Sequence, residues 1–160
     1  MISSQDVLCF VSATSRSLAI VEKVKAHFLG KAEELHGDYA CKKDDPKYVF
    51  PSEYEMLEYF CSHSSLAQSF YWHPETGETS HKAMVGAHFT ADGMLIVSVT
   101  VEARTDQAKA EASPLRLGSS TLDELKAVVG SEVGLVSYSV FPKFEDGRDF
   151  IAQCKSLSVQ

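Results

Sequence analysis

Apolar and polar positions alternate most regularly between Met94 and Ala103, where Val97-Ser98-Val99-Thr100-Val101 sets valine against Ser and Thr with a period of two. Side chains change face at that period along a strand, so the run predicts a half-buried β-strand. Ahead of it stand His81 to Thr90 and the turn Ala91-Asp92-Gly93. Asp-Gly between two apolar runs predicts a tight hairpin, because both residues tolerate the positive φ such turns need. A third run, Ser69-Phe70-Tyr71-Trp72-His73, precedes the turn-rich Pro74-Glu75-Thr76-Gly77-Glu78. The pattern predicts a three-stranded antiparallel meander on which the helices pack.

The flanking segments supply those helices. Val7-Leu8-Cys9-Phe10-Val11 is wholly apolar and short, which predicts a strand buried on both faces. Leu18, Val21, Val24, Phe28, Ala32 and Leu35 recur at three- and four-residue steps and predict a helix over 16–35, stopped by His36-Gly37. The charged stretch 38–50 reads as a surface loop. Ser52 and Glu55 form a capping box that opens a helix burying Met56, Leu57 and Phe60. Beyond Ala103 the chain turns polar and contains Pro114 and Gly118, which predicts a loop with at most one helical turn. A second capping box, Thr121 to Glu124, opens a helix that turns Leu122, Leu125, Val128 and Val129 inward and ends at Gly130. Residues 134–140 alternate as a strand on the meander side, and 146–156 predict a last helix burying Phe150, Ile151 and Cys154. Clustered strands and segregated helices define the fold class: α+β, one domain over 1–160, with a mostly antiparallel sheet built on the meander and helices packed on one face.

Charge narrows the range of partners. The net charge is −7 and the isoelectric point about 5.3. The densest basic cluster, Lys42-Lys43, runs straight into Asp44-Asp45. Such a surface repels nucleic acid and attracts a basic protein. No apolar run approaches the ~20 residues of a membrane span, and Met1 to Asp6 lacks the basic and apolar regions of a secretion signal. The four cysteines stand at irregular spacings outside any C-x-x-C pair, which predicts reduced thiols and a cytoplasmic protein.

Catalytic patterns are scarce. His73, His81 and His88 fall in the meander near Glu75 and Glu78, a donor set of the kind that binds zinc. However, His81 and His88 are seven apart, which places them on opposite faces of one strand. No G-x-S-x-G elbow, phosphate loop or dinucleotide fingerprint occurs. Cys61 and His63 are two apart, a spacing a helix does not bring face to face. The reading is a non-enzyme without metal or cofactor. Phe70, Tyr71 and Trp72 are consecutive, so a strand must turn at least one of them from the core. Either Tyr71 alone lies outward, or Trp72 is the exposed anchor of an interface.

The chain as a whole resembles the immunity proteins of bacterial polymorphic and type VI secretion toxin systems. The resemblance lies in size, acidity, and Tyr71-Trp72-His73-Pro74 leading into a β-meander with Asp92-Gly93. Those proteins are small, acidic, cytosolic α+β proteins that bind and block one toxin. The resemblance implies a protein–protein inhibitor of a basic, co-encoded toxin such as a nuclease. Partner-binding candidates lie in loops, where recognition residues concentrate: Asp44 and Asp45, Glu75 and Glu78, Glu145 and Asp146, with Tyr71 or Trp72 as apolar anchor. Alternatives are a small enzyme built around the meander histidines, or an adaptor subunit of a bacterial assembly.

Overall fold

The computed structural model describes residues 4–32, 41–42, 45–74, 83–104 and 113–158. In chain order the elements are β1 (Ser4–Ser12), α1 (Leu18–Leu29), β2 (Cys41–Lys42), β3 (Asp45–Val49), α2 (Glu53–Ser62), β4 (Gln68–Trp72), β5 (Ala83–Phe89), β6 (Leu95–Arg104), α3 (Pro114–Val129), β7 (Gly134–Tyr138) and α4 (Gly147–Ser158). Five strands form one sheet in the order β4-β5-β6-β1-β7, every neighbouring pair antiparallel. β2 and β3 make a separate two-stranded ribbon.

The apolar run Val7 to Val11 lies in an interior strand of the sheet, between β6 and β7, and both of its faces are covered. Val7, Cys9 and Val11 enter the larger core, and Leu8 and Phe10 enter a smaller one behind the sheet. β6 divides in register with it: Leu95, Val97 and Val99 face the larger core, and Ile96 the smaller. Burying such a side chain contributes about 1.5–3 kcal/mol, so this double coverage anchors the sheet. Helices α1, α2 and α3 bring Val21, Val24, Met56, Leu57, Phe60, Leu125 and Val129 to the larger core. α4 crosses to the back of the sheet, where Phe150 and Cys154 pack on Leu8, Phe10 and Leu135. The molecule is a single α+β domain of helices packed against an antiparallel sheet, as the pattern predicts, except that α4 covers the opposite face from α1, α2 and α3 rather than sharing it.

The meander and its turn form as the sequence predicts. Thr90 N–H donates to Met94 O at 3.0 Å and Gly93 N–H to Thr90 O at 3.1 Å, closing the Asp-Gly hairpin. Five further details differ. The alternation along β6 predicts a half-buried strand, but Leu95 to Val99 are buried on both faces, Ser98 being 1% exposed. α1 ends at Gly30, whose φ of 68° breaks the helix before the predicted stop at 36–37, which lies outside the described residues. The loop 38–50 contains β2 and β3. α3 begins at Pro114, not Thr121. Proline suits a first helical turn, where its missing N–H costs nothing, and Ser113 Oγ caps the helix by accepting from Arg116 N–H at 3.2 Å. Gly118 then allows α3 to approach the sheet: an added Cβ would stand 3.0 Å from Val136 and 3.1 Å from Val7. Finally, β7 pairs with β1, so it is separated from the meander by the interior strand.

Among the described residues, no helix is long and apolar enough to cross a membrane. Cys9, Cys61 and Cys154 are free thiols. Burial pushes Cys9 up to about 12 and Cys154 up to about 11, and it also raises Cys61. That is opposite to the depressed value a thiolate nucleophile requires.

Candidate functional site

The sequence-derived partner residues fall on separate elements. Trp72 is 0% exposed, which corrects its reading as an interface anchor. Even-numbered β4 positions face the larger core, and the indole N–H finds its partner there, on Glu53. Tyr71, on the opposite pleat, is 37% exposed. Asp45 is exposed on the ribbon. Glu145 is exposed, whereas half-buried Asp146 caps α4 by accepting from Asp149 N–H at 2.8 Å. Asp44, Glu75 and Glu78 lie outside the described residues.

The meander histidines do not converge. His73 is exposed, His81 lies outside the described residues, and His88 is buried behind the sheet. His88 Nδ1 is hydrogen-bonded to Ser69 Oγ and Nε2 to Ser98 Oγ, each at 2.9 Å. Gly86 makes room for this chain, since a Cβ there would stand 2.3 Å from Ser98 Oγ and 2.8 Å from His88 Nε2. Burial lowers His88 to about 4, so the imidazole is neutral at pH 7 and bridges β4 to β6 through β5. With both nitrogens engaged, neither is presented to a metal. Among the described residues, no group of three His, Cys, Asp or Glu side chains is placed to hold a metal ion.

A different surface gathers charge and aromatic area. Helix α2 starts from its Ser52 cap, one arm of the predicted capping box, with Ser52 Oγ accepting from Glu55 N–H at 3.2 Å. Glu53 and Glu55 in its first turn favour the helix N-terminus. Since Met56, Leu57 and Phe60 point into the core, Tyr54, Glu55 and Glu58 point outward, Tyr54 with 60% of its surface exposed. The helix carries three glutamates and no Lys or Arg. One of them, Glu53, turns inward to Lys25 at 3.3 Å. Glu55 and Glu58 have no ion-pair partner among the described residues.

The ribbon completes this surface. Tyr48 and Phe50 approach α2, the Phe50 ring lying 5.4 Å from Tyr48 and 5.3 Å from Tyr59. The His63 ring lies 3.9 Å from that of Tyr59, and its Nδ1–H donates to Tyr59 O at 2.7 Å. Tyr48, Phe50, Glu55, Glu58, Tyr59, Ser62 and His63 together line an open groove of about 300 Å³. Arg16 fixes the far end of α2. Its guanidinium donates to the carbonyls of Phe60 at 2.8 Å, His63 at 2.9 Å, Leu66 at 2.7 Å and Ser64 at 3.4 Å, and to Thr90 O at 2.7 Å on the hairpin. Two solvated carboxylates beside aromatic rings can attract and hold a cation.

Sequence reasoning identified α2 and its buried face but not its outward one. The signal was present in the complement of the apolar pattern, where Tyr54, Glu55, Glu58 and Tyr59 are interleaved with the core positions. The contribution of Tyr48 and Phe50 was not legible, because the ribbon lies in a segment read as loop. Comparison with known proteins finds no matching family model, no matching curated protein and no matching solved structure.

Proposed function

We propose that this protein is a stoichiometric inhibitor that acts in the cytoplasm, binding and neutralising a co-encoded bacterial toxin with a basic active site. A nuclease is the toxin that fits best. The observation that carries the reading is the outward face of α2, where exposed Glu55 and Glu58 and half-buried Tyr48 and Tyr59 border a groove on a helix without Lys or Arg. The chain's net charge of −7 has the same sign. Nuclease sites attract phosphate and are electropositive, so carboxylates compete for the same field. Tyrosines supply the rigid apolar area that dominates interface energetics. The catalytic alternative around the meander histidines draws less support, since His88 is neutral and both its nitrogens bond to hydroxyls.

The test is to express the product of the neighbouring gene with and without this protein. Relief of toxicity, accompanied by a one-to-one complex, is expected. Glu55→Lys with Glu58→Lys should slow association and weaken protection. Added salt should weaken binding as the Debye length falls from ~10 Å towards ~3 Å. Toxicity that the wild-type protein does not relieve would end the proposal.

A further inference from the structure

We infer that the groove between β3 and α2 receives an arginine side chain carried by the protein partner. This rests on the binding reading above and identifies the chemistry of its central contact. The groove has the size of a side-chain receptor: its volume of about 300 Å³ stands at the lower end of the range for small-molecule sites.

Its lining selects a planar cation. Phe50 is buried and holds the Tyr48 and Tyr59 rings at 5.4 and 5.3 Å, so the aromatic wall is ordered before a ligand arrives. The contacts of His63 with Tyr59 and the Arg16 bonds to the end of α2 hold the other wall. Glu55 and Glu58 are exposed and three apart, which places them on one face of the helix. They have no ion-pair partner to displace among the described residues.

A guanidinium meets both demands at once. It stacks flat on tyrosine rings, and its fork of N–H donors matches a carboxylate in two parallel bonds. A lysine ammonium satisfies the charge but is compact and strongly hydrated, so it loses the stacking. An uncharged side chain of the same shape loses the field. Arginine is also the charged residue enriched at interface hot spots.

The experiment titrates the full-length protein, followed by amide NMR shifts, with three capped tripeptides: Gly-Arg-Gly, Gly-Lys-Gly and Gly-citrulline-Gly. Citrulline keeps arginine's shape without its charge. Saturable shifts confined to β3 and α2 are expected with the arginine peptide, several-fold weaker binding with lysine, and none with citrulline. Glu55→Gln with Glu58→Gln should weaken arginine binding by about tenfold, the loss of charge-assisted bonds. Both positions are exposed, so the variant is expected to keep its fold, and its circular dichroism checks this. Equal binding of citrulline and arginine, non-saturating shifts, or an unaffected double variant would overturn the inference.

The same variant separates the two proposals. If wild-type protein neutralises the toxin and the double variant binds it equally tightly, the inhibitor reading stands and the arginine receptor falls. If the wild type gives no relief yet the arginine peptide titrates as expected, the receptor chemistry stands and the toxin reading falls.

Discussion

The indole N–H of Trp72 donates to the Glu53 carboxylate, at the same oxygen that the Lys25 ammonium approaches to 3.3 Å. Lys25 Nζ also lies 4.7 Å from the centre of the indole ring. A tryptophan, a lysine and a glutamate from β4, α1 and α2 therefore satisfy one another within the larger core. This arrangement explains why Trp72 faces inward, and it ties α2, which carries the groove, to the sheet.

Glu53→Ala leaves the buried ammonium and the indole N–H without their partner. Removing one member of a buried pair costs about 3–5 kcal/mol, whereas replacing the whole pair with apolar or neutral groups costs much less. Lys25 keeps Glu22 at 3.5 Å, which places the expected loss at the low end, about 3 kcal/mol. Urea unfolding followed by the fluorescence of the single tryptophan reads it directly. Lys25→Met with Glu53→Gln should recover most of the loss. A stable Glu53→Ala protein would show that the clamp contributes little.

Arg16 joins the end of α2 to the hairpin through five donated hydrogen bonds. Lysine offers three donors from a single atom and cannot span these carbonyls. Arg16→Lys is expected to lower stability by about 2 kcal/mol and Arg16→Ala by about 3 kcal/mol. Hydrogen exchange should show α2 opening more readily in both. Unchanged protection of α2 would refute its dependence on Arg16.

His88 makes stability depend on pH. Burial holds its folded value at about 4, below the ordinary 6.5. Between these values the unfolded chain binds the proton and the folded protein does not, so stability rises with pH across that window. The contribution is complete above pH 6.5, is lost as pH falls towards 4, and amounts to at most about 3 kcal/mol. Denaturant melts at pH 7, 6, 5 and 4.5 should show wild type losing more stability than His88→Asn, which keeps a polar group between the two serines. Parallel curves for the two proteins would remove His88 as the cause.

Gly118→Ala tests how closely α3 sits on the sheet. Alanine in place of glycine inside a helix gains up to about 1 kcal/mol. Here the new methyl would stand 2.8 Å from the Tyr138 hydroxyl, 3.0 Å from Val136 and 3.1 Å from Val7. The two valines belong to neighbouring strands that cannot withdraw, and overpacking costs about 1–3 kcal/mol. A net loss of about 1 kcal/mol is expected in thermal unfolding. A more stable Gly118→Ala protein would show that the helix shifts freely.

What the sequence determined by itself was local. The period of two along 94–103, the Asp-Gly turn and the Ser52/Glu55 capping box each depend on residues within a few positions of one another. The strand, the turn and the Ser52 cap are found where the pattern puts them, although β6 is buried on both faces over Leu95 to Val99 rather than half-buried. The wholly apolar run Val7 to Val11 also announced a strand covered on both faces. The start of α3 at Pro114 is locally legible too, since proline suits a first helical turn, but in a polar stretch proline and Gly118 equally fit a loop. Only the packing of Gly118 on Val7 and Val136 shows why a glycine belongs inside that helix.

Tertiary structure decided everything that depends on distant partners. Alternation along β4 required Tyr71 and Trp72 to face opposite ways but did not say which faced the core. The choice follows from Glu53 and Lys25, on helices far away in sequence. Likewise, α2 revealed its acidic face through its own period, yet that face is a groove only because the end of the ribbon places Phe50 against Tyr59, with Tyr48 packed on Phe50. Periodicity is a property of one segment, and a binding surface is a property of several. The physical reason is that side-chain burial and charge pairing are settled between elements, after each element has formed.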